Sequence, residues 1–98
     1  MAQVRIAWTR LAIADLNSVY EYIVAERSSV ANHIVDRIEK AIHSISYHPE
    51  IGRHGRVEGT RELIVSGTPF IVPYRIKSKR IEVLAVIHGA RRWPDFFQ

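Results

Sequence analysis

Apolar residues in the first half of the chain recur every three or four positions, which is the spacing of amphipathic helices. The pattern predicts one helix around residues 12–23 and a second over residues 31–47. Thr9 is placed to cap the first helix, and Ser28 and Ser29 are placed to cap the second. Because the connection between them is short, we expect an antiparallel helical hairpin. The apolar stripe of the first helix consists of Ala12, Leu16, Val19, Tyr20 and Ile23.

Apolar and polar residues alternate elsewhere, as they do in strands with one buried face. Residues 4–8 predict a short strand before the first helix, and runs at 61–65, 70–76 and 80–88 predict an antiparallel meander. The last run is apolar on both faces, so we expect it to be one strand inside the sheet. Pro73 lacks the amide hydrogen that a central strand donates, which indicates an edge position or a bulge. Together these elements predict an α+β fold.

Length and composition limit the classes of protein that fit this pattern. We expect residues 1–98, the whole chain, to form one domain. The chain has no cysteine, which excludes a disulfide framework, a thiolate nucleophile and a zinc–thiolate site. No apolar run approaches the roughly 18 residues of a membrane span, and the N-terminus has no signal-peptide pattern. These features predict a cytoplasmic protein.

The positive charge of the chain is concentrated in its second half. The formal net charge is +4. Residues 1–47 hold five basic and five acidic residues, whereas residues 48–98 hold nine basic and five acidic ones. Most of the basic residues are arginines, which pair bidentately with phosphate or carboxylate groups. The sequence therefore indicates a polyanionic partner, either nucleic acid or an acidic protein segment, with a scattered basic surface as the alternative.

Three residues near predicted strand ends are candidates for catalysis: Arg61, Arg75 and His88. Strand pairing could bring them toward one patch. The arginines would hold a phosphodiester there, and His88 would exchange a proton near neutral pH. RNA supplies its own nucleophile in the 2′-OH group, so such a site needs no metal. The alternative for His88 is a hydrogen-bonded residue at a strand boundary. The alternative for both arginines is a solvated side chain or one paired with Glu62, Glu58 or Glu82.

Three further arginines are candidates for nucleic-acid binding. Arg53 and Arg56 lie in a turn-rich stretch at residues 49–59, which we expect to be an exposed loop, and Arg91 follows the last predicted strand. No histidine has a second ligand at the spacing of a metal site, and no phosphate-binding glycine motif is present. We therefore expect neither a metal nor a cofactor.

Several short motifs follow one another in a fixed order along almost the whole chain. They are Trp8-Thr9, Ala14-Asp15-Leu16, Tyr22-Ile23, His48-Pro49-Glu50-Ile51-Gly52-Arg53, Gly59-Thr60-Arg61-Glu62-Leu63, Pro73-Tyr74-Arg75, the run from Ile81 to His88, and Arg91-Arg92-Trp93-Pro94. In this order they resemble the RelE/ParE superfamily of bacterial toxins from type II toxin–antitoxin pairs. The resemblance implies a helical hairpin packed on a small, twisted, mostly antiparallel sheet, with a cognate antitoxin wrapped around it.

The resemblance implies two alternative targets. RelE-like members cut mRNA on the ribosome, and Arg61, Arg75 and His88 match positions that serve as site residues in some of them. ParE-like members keep the fold but poison DNA gyrase without nuclease activity. Arg53 and Arg56 stand where several of the nucleases place lysines. The first hypothesis is ribosome-dependent mRNA cleavage, and the alternatives are gyrase inhibition and a plain nucleic-acid-binding domain.

A partner protein is also predicted. A basic surface left free in a cell full of nucleic acid would bind it unspecifically. We therefore expect an acidic or amphipathic antitoxin, encoded in the adjacent reading frame, to cover the basic face and to fold on binding.

Overall fold

Two helices and six strands make up the part of the chain that the computed structural model describes, namely residues 3–26, 29–94 and 97. In chain order they are β1 Arg5–Trp8, α1 Arg10–Glu26, α2 Ser29–Tyr47, β2 Arg53–His54, β3 Arg61–Ile64, β4 Phe70–Ile76, β5 Arg80–Val83 and β6 Ile87–His88. The sheet order is β1-β5-β4-β3-β2, and β6 also pairs with β4. Of the strand pairs that the described residues form, only β1–β5 is parallel. The predicted α+β fold with a mostly antiparallel sheet is confirmed.

The predicted start of α1 is confirmed in atomic detail. The hydroxyl oxygen of Thr9 accepts a hydrogen bond from the backbone N–H of Ala12 at 3.1 Å, which caps the helix. The same hydroxyl group donates to the carbonyl oxygen of Leu84 at 3.0 Å. It therefore attaches the helix to the segment between β5 and β6. The helix α2 begins at Ser29, whereas Ser28 lies outside the described residues.

The core lies between the helices and one face of the sheet. Most of the predicted stripe of α1 packs there, but Tyr20 is 59% exposed, so its assignment to the stripe is wrong. Buried core residues include Ala12, Val19, Ile23, Ile38, Ile42, Ile45, Leu63, Val72, Tyr74, Ile81 and Val83. On its other sides α1 exposes further apolar residues, among them Leu11 and Tyr22.

A β-bulge opposite Pro73 interrupts the run that was predicted as one strand at residues 80–88. Tyr74 pairs with Val83 and Ile71 pairs with Ile87, so three residues on one side face two on the other. The backbone N–H of Leu84 donates to the carbonyl oxygen of Pro73 at 2.9 Å. Because proline has no N–H to return, the ladder breaks there. The predicted bulge is confirmed, while the edge alternative and the single strand are wrong.

The bulge changes which face of the sheet His88 occupies. Without it, His88 would lie on the face opposite Val83, because successive strand residues alternate. The extra residue shifts the alternation by one, and His88 pairs with Phe70, which packs against the helix-side core. His88 is therefore on the helix side of the sheet.

The stretch at residues 49–59 is more structured than the predicted exposed loop. It contains β2, which pairs with β3, and Gly52 is buried beneath Tyr74. The hydroxyl group of Tyr74 accepts from the N–H of Gly52 at 2.9 Å and donates to the carbonyl oxygen of Pro49 at 2.6 Å. A Cβ atom at Gly52 would lie 2.7 Å from the Tyr74 ring. Only glycine permits this close approach.

Candidate functional site

His88 lies at the rim of an apolar cleft of about 670 Å³ between α1 and the beginning of β4. Leu11 and Tyr22 contribute one wall and Phe70 contributes another. The imidazole ring of His88 contacts Phe70 edge-on, with the ring centroids 5.6 Å apart. Its Nδ1 atom accepts a hydrogen bond from the N–H of Ala90 at 3.1 Å. With Nδ1 as the acceptor, the neutral ring carries its hydrogen on Nε2, which is left to donate to a ligand.

Asp15 faces the same cleft from α1, and sequence reasoning missed it. One carboxylate oxygen accepts a hydrogen bond from the N–H of Val86 at 2.9 Å. Burial raises the pKa of Asp15 above its usual range, although the Val86 bond and the charge of Arg91 oppose this shift. The sequence places Asp15 off the apolar stripe of the helix. The sequence around Asp15 does not indicate its hydrogen bond with Val86. The N–H of Val86 is free to donate only because the bulge interrupts the hydrogen bonds between the strands.

Arg61 and Arg75 lie on opposite faces of the sheet. Arg61 pairs with Tyr74, so it shares the helix side, and one of its Nη atoms donates to the carbonyl oxygen of Gly52 at 2.7 Å. Arg75 is the next residue along β4 and points to the outer face, where its Nε atom lies 2.7 Å from a carboxylate oxygen of Glu82.

The expected patch of Arg61, Arg75 and His88 does not form. His88 pairs with Phe70, four residues along β4 from the Tyr74–Arg61 pair. At about 3.3 Å per residue this separates them by roughly 13 Å along the strand. Arg75 is on the other face. The idea that strand pairing gathers the three is therefore wrong, while the role of each residue stays a prediction.

Arg53 and Arg56 share a buried carboxylate, that of Glu62, whose side chain is 2% exposed. Arg53 donates to one carboxylate oxygen through Nε and Nη2, at 3.2 and 3.0 Å. Arg56 donates to the other through its backbone N–H at 2.8 Å and its Nε at 3.2 Å. The guanidinium group of Arg56 also lies 3.6 Å from the ring centre of Trp93, within cation–π range. The loop and the C-terminal segment are thus joined through Glu62.

These bonds determine the charge state of Glu62. Burial raises the pKa of Glu62, but the backbone N–H of Arg56 and the side chains of Arg53 and Arg56 lower it more. The net result is a pKa below the usual range, so the carboxylate stays ionised at neutral pH. Two of the three arginines expected to bind nucleic acid therefore already hold an anion of the chain itself.

Two features of the described ranges 3–26, 29–94 and 97 concern metal binding and membrane insertion. No group of three or more histidine, aspartate or glutamate residues among them could hold a metal ion. None of the helices formed by these residues is long and apolar enough to cross a membrane.

Comparison with known proteins agrees with this fold. The chain is 38% identical over 95 residues to Y4kP of Sinorhizobium fredii, named as a candidate toxin, covering 97% of this chain and 98% of that protein. It is 32% identical over 91 residues to toxin RelE2 of Caulobacter vibrioides, covering 93% and 99%. A structure of the chromosomal ParDE toxin–antitoxin system from P. aeruginosa is similar, with a TM-score of 0.75 and 29% identity, covering 88% of this chain and 96% of that one.

The fold and these relatives define the chain as the toxin of a type II toxin–antitoxin system. The model of the family described as "ParE toxin of type II toxin-antitoxin system, parDE" matches residues 6–93. The chain belongs to this family. A toxin of this class has a cognate antitoxin as its partner.

Proposed function

We propose that this toxin inhibits growth by binding DNA gyrase in the cytoplasm and trapping it on cut DNA, rather than by cleaving mRNA. The observation that carries the proposal is the separation of the candidate nuclease residues. Cleavage of a phosphodiester needs positive charge and a proton donor within hydrogen-bond distance of one phosphate. Arg61 and His88 are separated along β4, and Arg75 is on the other face of the sheet.

The bonds of the candidate arginines support the same proposal. Arg75 is ion-paired with Glu82, Arg53 and Arg56 are ion-paired with Glu62, and Arg61 donates to backbone carbonyl oxygens. A phosphate bound by these groups would have to share them with the acceptors that they already hold. A toxin that acts through its surface needs no such sharing. ParE-like members of the superfamily, which the chain resembles throughout, act on gyrase.

The test runs two assays side by side on the purified toxin. In the first, gyrase and supercoiled plasmid are incubated with the toxin, and covalent gyrase–DNA complexes are counted as linear DNA after detergent and protease treatment. In the second, a cell-free translation reaction receives the toxin, and transcript ends are mapped. We expect linear DNA in the first assay and intact transcripts in the second.

The opposite pattern supports the first hypothesis of mRNA cleavage. New transcript ends that vanish in His88→Ala, together with unaffected plasmid, would overturn the gyrase proposal. Loss of a general acid or base costs about 10²–10⁴-fold in rate, so the effect of this variant would be unmistakable. Its thermal unfolding is compared with that of the wild type to exclude misfolding.

A further inference from the structure

One end of the sheet carries a concentrated positive charge. The beginnings of β1 and β5 and the turn after β4 meet there, because β1 and β5 are parallel and β4 is antiparallel to β5. Four exposed cations lie at this end, and we name them the cationic edge: Arg5, Lys77, Lys79 and Arg80. The cleft beside His88 lies at the other end of β4.

Two arginines of the cationic edge lie directly side by side. Arg5 and Arg80 are register partners across the β1–β5 pair, so their side chains leave the same face of the sheet. Like charges in such positions destabilise the pairing of strands. A carboxylate between them would relieve the repulsion, but among the described residues Arg5 forms no ion pair. The arrangement therefore favours an anion from outside the chain.

Glu82 neutralises only part of this charge. One of its carboxylate oxygens accepts two bonds from Arg80, at 2.9 and 3.2 Å, and the other oxygen binds Arg75. Against four cations this single carboxylate leaves three positive charges. The whole chain has a formal net charge of +4, so most of its excess lies at this edge.

The chemistry of the edge suits a phosphate backbone better than a peptide. The guanidinium group of Arg5 donates in the planar geometry that phosphate oxygens accept, and the lysines of the edge add charge without sequence preference. An amphipathic segment of a protein would need an apolar groove as well. The apolar cleft of this molecule lies at the opposite end of the sheet.

We propose that the cationic edge binds the phosphate backbone of duplex DNA, in the segment that gyrase holds. The choice of DNA rests on the gyrase function proposed above. Among the described residues, three cations of the edge have no ion pair. Contact of these three with phosphates predicts that the logarithm of the binding constant falls with the logarithm of the salt concentration, with a slope of roughly −3. The contact would direct the toxin to gyrase already engaged with DNA and would contribute little sequence preference.

The test compares two variants of equal charge. Arg5→Gln/Lys79→Gln removes two cations from the edge, and Arg10→Gln/Lys40→Gln removes two exposed cations elsewhere. Binding of each full-length protein to a fluorescent 20-base-pair duplex is followed by anisotropy over a salt series, without gyrase. We expect the edge variant to bind roughly 50-fold more weakly at about 0.1 M salt and to lose about two units of slope. The control variant should stay within about threefold of the wild type.

Two results would overturn the proposal. If both variants bind the duplex equally more weakly than the wild type, the effect comes from the net charge of the protein. If both bind it as well as the wild type does, the edge does not contact DNA. If the edge variant keeps DNA binding but loses its antitoxin, the edge is a protein-binding surface instead. The gyrase assay on the wild type is scored separately. If the wild-type toxin traps gyrase but the edge variant binds the duplex normally, the proposed gyrase function stands and only the inference about the cationic edge is refuted.

Discussion

Two glutamates on the outer face of the sheet each hold two arginines, and their surroundings differ. Glu62 on β3 is 2% exposed and receives a backbone N–H in addition to both guanidinium groups. Glu82 on β5 is 17% exposed, and both of its described partners are side chains. Ion pairs in water contribute little to stability, whereas a buried charge depends on every partner it has. A glutamate bound by two arginines therefore has a different role at each of the two positions.

The difference concerns what each glutamate organises. Glu62 fixes the loop around Arg56 and, through the stack on Trp93, the C-terminal segment. Glu82 only aligns Arg75 and Arg80 at the border of the cationic edge. We therefore interpret Glu62 as a structural residue and Glu82 as one that orients surface charge. Three sets of measurements test this interpretation, and a fourth concerns Asp15.

The largest expected effect is that of Glu62→Ala. The variant leaves the backbone N–H of Arg56 without its acceptor and removes the buried anion between two guanidinium groups. We expect the free energy of unfolding, measured with urea, to fall by about 2–4 kcal/mol. The matched variant Glu82→Ala should cost less than about 1 kcal/mol. Equal losses in the two variants would refute the distinction between the glutamates.

The next effect concerns the arginines. Arg56→Lys loses the planar group that stacks on Trp93 and bonds Glu62, so we expect a loss of about 1 kcal/mol in the free energy of unfolding. Tryptophan emission should shift as well, read in a Trp8→Phe background that leaves Trp93 as the reporter. The control Arg80→Lys should cost under about 0.5 kcal/mol and leave the emission unchanged. An unchanged emission in Arg56→Lys would show that the stack does not persist in solution.

The third effect is a dependence on pH. Bonds from Arg75 and Arg80 lower the pKa of Glu82, and the net effect of its contacts also lowers the pKa of Glu62. A lowered folded-state pKa gives stability that is complete above about pH 4.3, the value in the unfolded chain, and is lost as the pH falls through the folded-state value. Urea unfolding at several pH values should show this loss in the wild type. Glu62→Gln and Glu82→Gln should each flatten the acid limb, because neither glutamine side chain ionises.

The smallest effect has the opposite sign and involves Asp15. Because the pKa of Asp15 is raised in the folded state, its contribution to the free energy of unfolding is complete below about pH 3.9, the pKa in the unfolded chain. That contribution is lost as the pH rises through the folded-state pKa. Asp15→Asn keeps an oxygen to accept from Val86 and cannot ionise. We expect the free energy of unfolding of this variant to increase slightly relative to that of the wild type as the pH rises from 4 to 7. A variant that loses stability over that range would show that the charge of Asp15, paired with Arg91, outweighs its burial.

The sequence by itself determined the elements of this protein and much of their order. The periods of two and 3.6 residues are local properties, so they located both helices, β1, β3 and β4 to within three residues at each end. Thr9 as a cap follows from chemistry within one residue, as does Pro73 as either an edge position or a bulge, of which the structure has the bulge. The order of the motifs indicated the superfamily, which the comparisons confirm.

The tertiary structure decided which face each functional side chain occupies and which partner it has. A shift of one residue in register moves every later side chain of a strand to the other face. The residue added at the bulge moved His88 to the helix side, opposite Arg75. The periodicity does not reveal that Glu62 binds two arginines, because this depends on how the stretch at residues 49–59 folds against β3. Nor does it reveal that Arg5 lies beside Arg80, because these residues are far apart in the chain. Periodicity is encoded locally, whereas register depends on how the whole sheet packs against its helices.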